Sequence, residues 1–92
     1  MSAAIPAAAR PRLARGVRLR EDPRRGWILL APETVFAAKG SAADILALCD
    51  GTRTFGDLVA TLSTRFCVAP ERVAADAEAL LARLRDQRLV DL

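Results

Sequence analysis

Histidine and tyrosine are absent, and lysine and tryptophan occur once each, as Lys39 and Trp27. Losing histidine removes the only side chain that titrates near neutrality without help, and with it the commonest transition-metal ligand. Cysteine is scarce as well, at Cys49 and Cys67. The pair has neither the Cys-x-x-Cys spacing nor the further ligands that a metal or redox centre needs, and makes no disulfide framework of the secreted kind. Both are expected to be small buried hydrophobes, with reduced thiols in a cytoplasmic protein. No serine has a base to activate it, because Lys39 stands alone. Asp76 and Glu78 are two apart on an expected helix and diverge, while Glu71, Asp86 and Asp91 have no partner set. The five glycines are scattered and form no phosphate loop. No enzyme activity, metal or cofactor is expected.

Long apolar runs are missing too. The longest uncharged stretch is Met1–Ala9, broken by Pro6, against the roughly 20 apolar residues of a spanning helix. Ala7-Ala8-Ala9 has no positive charge or adequate apolar stretch before it, so it is not a secretory cleavage site. No membrane association is expected.

What remains is a chain of 92 residues, 52% hydrophobic and 27% charged, the balance of a soluble globular domain with one core. The net charge of +3 is unevenly placed: residues 1–25 hold seven arginines against Glu21 and Asp22, while the remainder is net acidic. Residues 1–15, rich in Ala, Arg and Pro and without apolar period, read as a flexible arm. Order is expected from Gly16, in a single domain over 16–92.

Within that domain the period changes once. Val17–Asp22 alternates, Asp22-Pro-Arg-Arg-Gly26 carries turn chemistry, and Trp27–Ala31 is apolar on both faces, as a middle strand requires. A Pro32-Glu33 turn leads to a third strand, Thr34–Ala38. Three helices follow. Ser41 and Asp44 have the spacing of a capping box, as do Thr54 and Asp57. Asp50-Gly51 is expected to stop the first helix. Phe55, Leu58, Val59, Leu62 and Phe66 form one stripe of the second. Pro70 opens the third, whose apolar face is Val73, Ala77, Leu80, Leu81 and Leu84. Leu89–Leu92 is a strand or an ordered extension. The fold class is α+β, a small winged-helix-like domain with a three-stranded antiparallel sheet followed by three helices.

That architecture admits two functions. A winged-helix DNA-binding regulator needs a basic recognition helix, and helix 70–86 is net acidic. A peptide-binding module needs an exposed strand edge, and 34–38, last of three sequential strands, supplies one that can accept an extended peptide.

The residues themselves resemble the PqqD family, the small protein D of pyrroloquinoline quinone biosynthesis. The likeness runs through Pro11-Arg-Leu-Ala-Arg-Gly-Val-Arg-Leu-Arg-Glu-Asp22, Trp27-Ile-Leu-Leu-Ala-Pro-Glu33 and Ile45-Leu-Ala-Leu-Cys-Asp-Gly51. It continues through Leu62, Phe66, Ala75-Asp76 and Leu81 to Leu89-Val90. The resemblance implies a non-catalytic peptide chaperone, the prototype of the precursor-recognising domains of ribosomally made, modified peptides. It implies binding of the precursor peptide PqqA and its presentation to PqqE, a radical S-adenosylmethionine enzyme, in the cytoplasm and without nucleic acid. The peptide is expected along Thr34, Val35, Phe36, Ala37, Ala38 and Lys39. Val73, Asp76, Ala77, Leu80, Leu81 and Leu84 are expected to form the opposite wall. A monomer or a strand-exchanged homodimer fits the exposed edge. Arg88 stands where the family commonly has glycine, so either the third helix runs on or Arg88 takes an unusual backbone conformation.

Overall fold

The computed structural model describes residues 5–92. Its elements in chain order are β1 (Arg12–Leu13), β2 (Arg18–Asp22), β3 (Gly26–Leu30), β4 (Val35–Ala37), α1 (Ala42–Ala47), α2 (Phe55–Phe66), α3 (Pro70–Asp86) and β5 (Val90–Asp91). Strands β2, β3 and β4 form an antiparallel sheet in that order, with Leu19 opposite Leu29 and Leu29 opposite Phe36. This is the expected α+β arrangement, with the doubly apolar strand in the middle.

Local chemistry explains the turns. Asp22 Oδ1 accepts from the backbone N–H groups of Arg24 and Arg25 at 2.8 and 3.0 Å, and Gly26 takes φ +75° to enter β3. These two amides hold the Asp22 carboxyl below its usual pKa. Ala31 and Thr34 exchange backbone hydrogen bonds across Pro32-Glu33. The capping box of α2 forms: Thr54 Oγ1 accepts from the Asp57 N–H, and the Asp57 carboxylate accepts from the Thr54 N–H. The one expected for α1 does not. Ser41 already has helical dihedrals (φ −76°, ψ −4°) and its side chain makes no capping bond; a capping hydroxyl needs an extended backbone behind it. Helix α1 also ends at Ala47, before the expected stop at Asp50-Gly51.

The core gathers Leu29 of the sheet, Ile45 and Leu46 of α1, Phe55, Leu58, Val59 and Leu62 of α2, and Val73, Ala77, Leu81 and Leu84 of α3. Cys49 joins them, its Sγ donating to the Ile45 carbonyl, and burial pushes its thiol up to about 12, with the Asp50 charge a smaller cause. Cys67, expected inside, is exposed. It ends α2 in the left-handed region (φ 54°), where the chain turns away from the core, and the preceding Phe66 is left 44% exposed.

The N-terminal segment departs furthest from expectation. Residues 5–15 are not a detached arm but a strap across the helices. Ile5 is buried at 5% exposure, and its N–H donates to Glu78 Oε2 of α3 at 3.1 Å. The Ala9 and Ala7 carbonyls accept from the Phe55 and Gly56 amides, the two first-turn donors of α2 that the capping box leaves free. Strand β1 then pairs with β5, tying both ends of the described chain together. Residues 1–4, also assigned to the arm, lie outside the described residues. Among the described residues no helix is long and apolar enough to cross a membrane.

Candidate functional site

Strand β4 is an edge, bonded among the described residues only to β3. Antiparallel pairs alternate between hydrogen-bonded and non-bonded, which determines what the edge offers. Ala31 and Thr34 are a bonded pair, and the Ala38 N–H donates to the Trp27 carbonyl at 2.9 Å. Phe36 between them therefore also bonds inward. Val35 and Ala37 turn their N–H and C=O groups outward, away from the sheet. Their side chains lie on the open face with Ile28 and Leu30, and Val35 is 47% exposed. Thr34 and Lys39 are exposed at the two ends, Phe36 is half-buried, and Ala38 is in the core.

The α3 wall divides. Val73, Ala77, Leu81 and Leu84, expected to line a peptide groove, are buried at 8%, 0%, 0% and 0% exposure and belong to the core. Their period marks the face turned to α2 and the core. Asp76 is exposed and Leu80 half-buried, on the flank beside that face. Arg83 continues the same flank at helical spacing (76, 80, 83), and its guanidinium lies 5.6 Å from the centre of the Phe36 ring. This contact brings α3 alongside β4. Sequence reasoning missed Arg83 because it searched for apolar residues; the four-then-three spacing from Asp76 and Leu80 was the available signal.

Past the end of β4 the same surface opens into a hollow of about 130 Å³, lined by Ser41, Ile45, Leu62, Phe66, Val73 and Asp76. It is mostly apolar with one carboxylate at the rim. The arrangement is therefore a strand edge with outward backbone groups at Val35 and Ala37, a cation at one end and an apolar hollow with an acid at the other. It can hold an extended polypeptide, and it contains no set of groups for covalent chemistry. Among the described residues no cluster of His, Cys, Asp and Glu is placed to hold a metal ion.

Comparison with known proteins gives a single family from three directions. Residues 26–90 match the family model "Coenzyme PQQ synthesis protein D (PqqD)". The chain is 40% identical over 78 residues to the PqqA binding protein of Gluconobacter oxydans, covering 84% of this chain and 81% of that one. It is 37% identical over 81 residues to the PqqA binding protein of Rhodopseudomonas palustris (strain BisB5), covering 87% and 79%. Among solved structures, the PqqD portion of Methylobacterium extorquens PqqCD superposes with a TM-score of 0.83 at 35% identity, over 96% of this chain and 95% of that one. That solution structure represents a functional, stand-alone recognition element for ribosomally synthesized and post-translationally modified peptides. With the family model spanning β3, β4, all three helices and the start of β5, the chain belongs to the PqqD family.

Proposed function

We propose that this chain is a non-catalytic chaperone of pyrroloquinoline quinone biosynthesis, acting in the cytoplasm, that binds the precursor peptide PqqA and presents it to the radical S-adenosylmethionine enzyme PqqE. The observation that carries the reading is the uncovered β4 edge beside α3, in a chain whose relatives are PqqA binding proteins. PqqA adds as a strand along Thr34–Lys39, pairing with the outward groups of Val35 and Ala37. Asp76, Leu80 and Arg83 form its other wall. Backbone pairing supplies affinity, and the hollow beside Asp76 and the cation at Arg83 supply specificity. Ala77, Leu81 and Leu84 act behind this wall by fixing the position of α3, and Val73 contributes to the hollow.

The test is an amide NMR titration with synthetic PqqA, with duplex DNA as control. Saturable shifts on residues 34–39 and along 76–83, with DNA silent, are expected. Shifts with DNA and none with PqqA, alone or with PqqE added, would overturn the reading.

A further inference from the structure

The sheet has a second open edge. Among the described residues β2 pairs with β3 alone, and no backbone bond joins it to another element. The alternation that turns Val35 and Ala37 outward applies here in mirror image. Trp27 and Ala31 direct their backbone groups toward β4, so Ile28 and Leu30 direct theirs toward β2, bonding Arg20 and Arg18. Leu19 and Glu21 are left with outward N–H and C=O groups on a five-residue strand free of proline.

The surroundings of the two edges differ in charge. Arg18 and Arg20 project from one face of β2, Arg24 and Arg25 from the turn that follows, and none of the four is in an ion pair among the described residues. Of the nearby acids, Asp22 holds the turn amides and Asp50 holds Thr52 and Arg53, while Glu21 belongs to the opposite face of β2 from Arg18 and Arg20. Along the strand an open hollow of about 770 Å³ lies between β2 and α1, lined by Leu13, Leu19, Leu46, Ala47 and Cys49 and rimmed by Arg18, Arg20 and Asp50.

We infer that β2 is a second strand-accepting edge, and that its occupant is an extended segment of a protein partner in which acidic and apolar residues alternate. Alternation follows from the strand period: side chains on the arginine face meet Arg18 and Arg20, and those on the other face meet Leu19 and the hollow. A second copy of this chain is disfavoured, because β2 against β2 sets arginine opposite arginine. Nucleic acid and lipid satisfy the arginines but offer no alternating donors and acceptors to match the N–H and C=O groups of Leu19 and Glu21, and the Pro23-Arg24-Arg25 tip has no large apolar side chain to insert into a bilayer. Having two chemically distinct edges lets the domain hold a neutral-to-amphipathic strand on β4 and an acidic one on β2 at the same time. The inference stands on β2 alone, so failure of the PqqA reading leaves it intact.

The probe is a synthetic peptide of about ten residues alternating glutamate and valine. Its controls are a lysine–valine counterpart and a peptide with the glutamates and valines in separate blocks. Amide NMR should show saturable shifts at Leu19–Glu21 and at Leu46–Ala47, weakening with added salt. The double variant R18E/R20E should bind roughly tenfold or more weakly. Glu21→Pro, which keeps every arginine but removes an outward donor, should weaken binding about tenfold while leaving the circular dichroism spectrum unchanged. Several results overturn the proposal: shifts confined to residues 35–37, equal binding of either control peptide, or no saturation at millimolar peptide. So does a response of the arginine-bearing residues to duplex DNA or phosphatidylglycerol vesicles with none to the alternating peptide.

Discussion

Arg88 ends α3 at φ 61°, in the left-handed region that costs a residue with a β-carbon about 1–2 kcal/mol. The strain is held there by a complete Schellman motif: the Leu89 N–H donates to the Leu84 carbonyl and the Arg88 N–H to the Arg85 carbonyl. Leu89 and Val90 are thereby turned back into the core, at 4% and 1% exposure. Of the two alternatives that an arginine at this position left open, the unusual backbone is the one adopted, because a longer helix would carry those two residues into water. Arg88→Gly should relieve the strain without disturbing either bond, with a net gain of about 1 kcal/mol after the extra freedom glycine has when unfolded. For a domain of this size that raises Tm by about 4–8 °C. A thermal melt in which Tm stays put or falls would show that the Arg88 side chain contributes something the geometry does not reveal.

Among the elements, β4 is the one whose register makes a sharp statement. Within β4 the outward donors are those of Val35 and Ala37, so substitution along the edge should be strongly periodic. Ala37→Pro removes one outward N–H and leaves the bonds to β3 in place; PqqA affinity should fall about tenfold, the worth of one backbone hydrogen bond, in a variant that remains folded. Phe36→Pro, one residue away, removes an inward bond and should unfold the sheet edge instead. Equal affinity of Ala37→Pro and the parent, by calorimetry, would remove strand addition from the model of binding. The sheet and the long helices could be read from sequence because period two and period 3.6 are written in side chains. The binding flank of α3 could not be read that way. Apolarity at 73, 77, 81 and 84 reports which face is buried, whereas a groove is made by the half-exposed residues beside that face. Leu80 was found with the core residues and Asp76 through the family resemblance, whereas Arg83 is charged, carries no hydropathic signal and lies outside the wall the resemblance implies.

At the scale of the whole molecule, the strap of residues 5–13 decides how the helices are held. Its contacts are made largely by backbone atoms, the carbonyls of Ala7, Ala9 and Pro11 accepting from Gly56, Phe55 and Gly51 respectively. Every residue has a carbonyl, so such a segment leaves no pattern in a sequence and reads as an arm. The Cα radius of gyration, 12.5 Å, is that of a compact chain with no detached tail of this length. Ile5 and Pro11 are the strap's deep apolar anchors, and Ile5 is the one that meets α3, at Glu78. On the helical wheel Glu78 lies on the flank opposite Asp76, Leu80 and Arg83, so the strap and the β4 groove grip α3 from two sides. Ile5→Ala removes that anchor from a closed core and should cost about 2–3 kcal/mol in urea unfolding. This exceeds the roughly 1 kcal/mol expected for Thr54→Ala, which removes one side-chain cap from the same helix start that the strap covers. The two losses should also differ in where they appear. In Ile5→Ala, hydrogen exchange should quicken at the Phe55 and Gly56 amides, whose acceptors are in the strap. The Asp57 amide, bonded to Thr54 Oγ1, should keep its protection until the domain unfolds. Uniform loss at all three amides would mean that the strap and α2 unfold as one unit. A change in stability under about 0.5 kcal/mol would mean that Ile5 is replaceable and that the strap is held by its backbone alone.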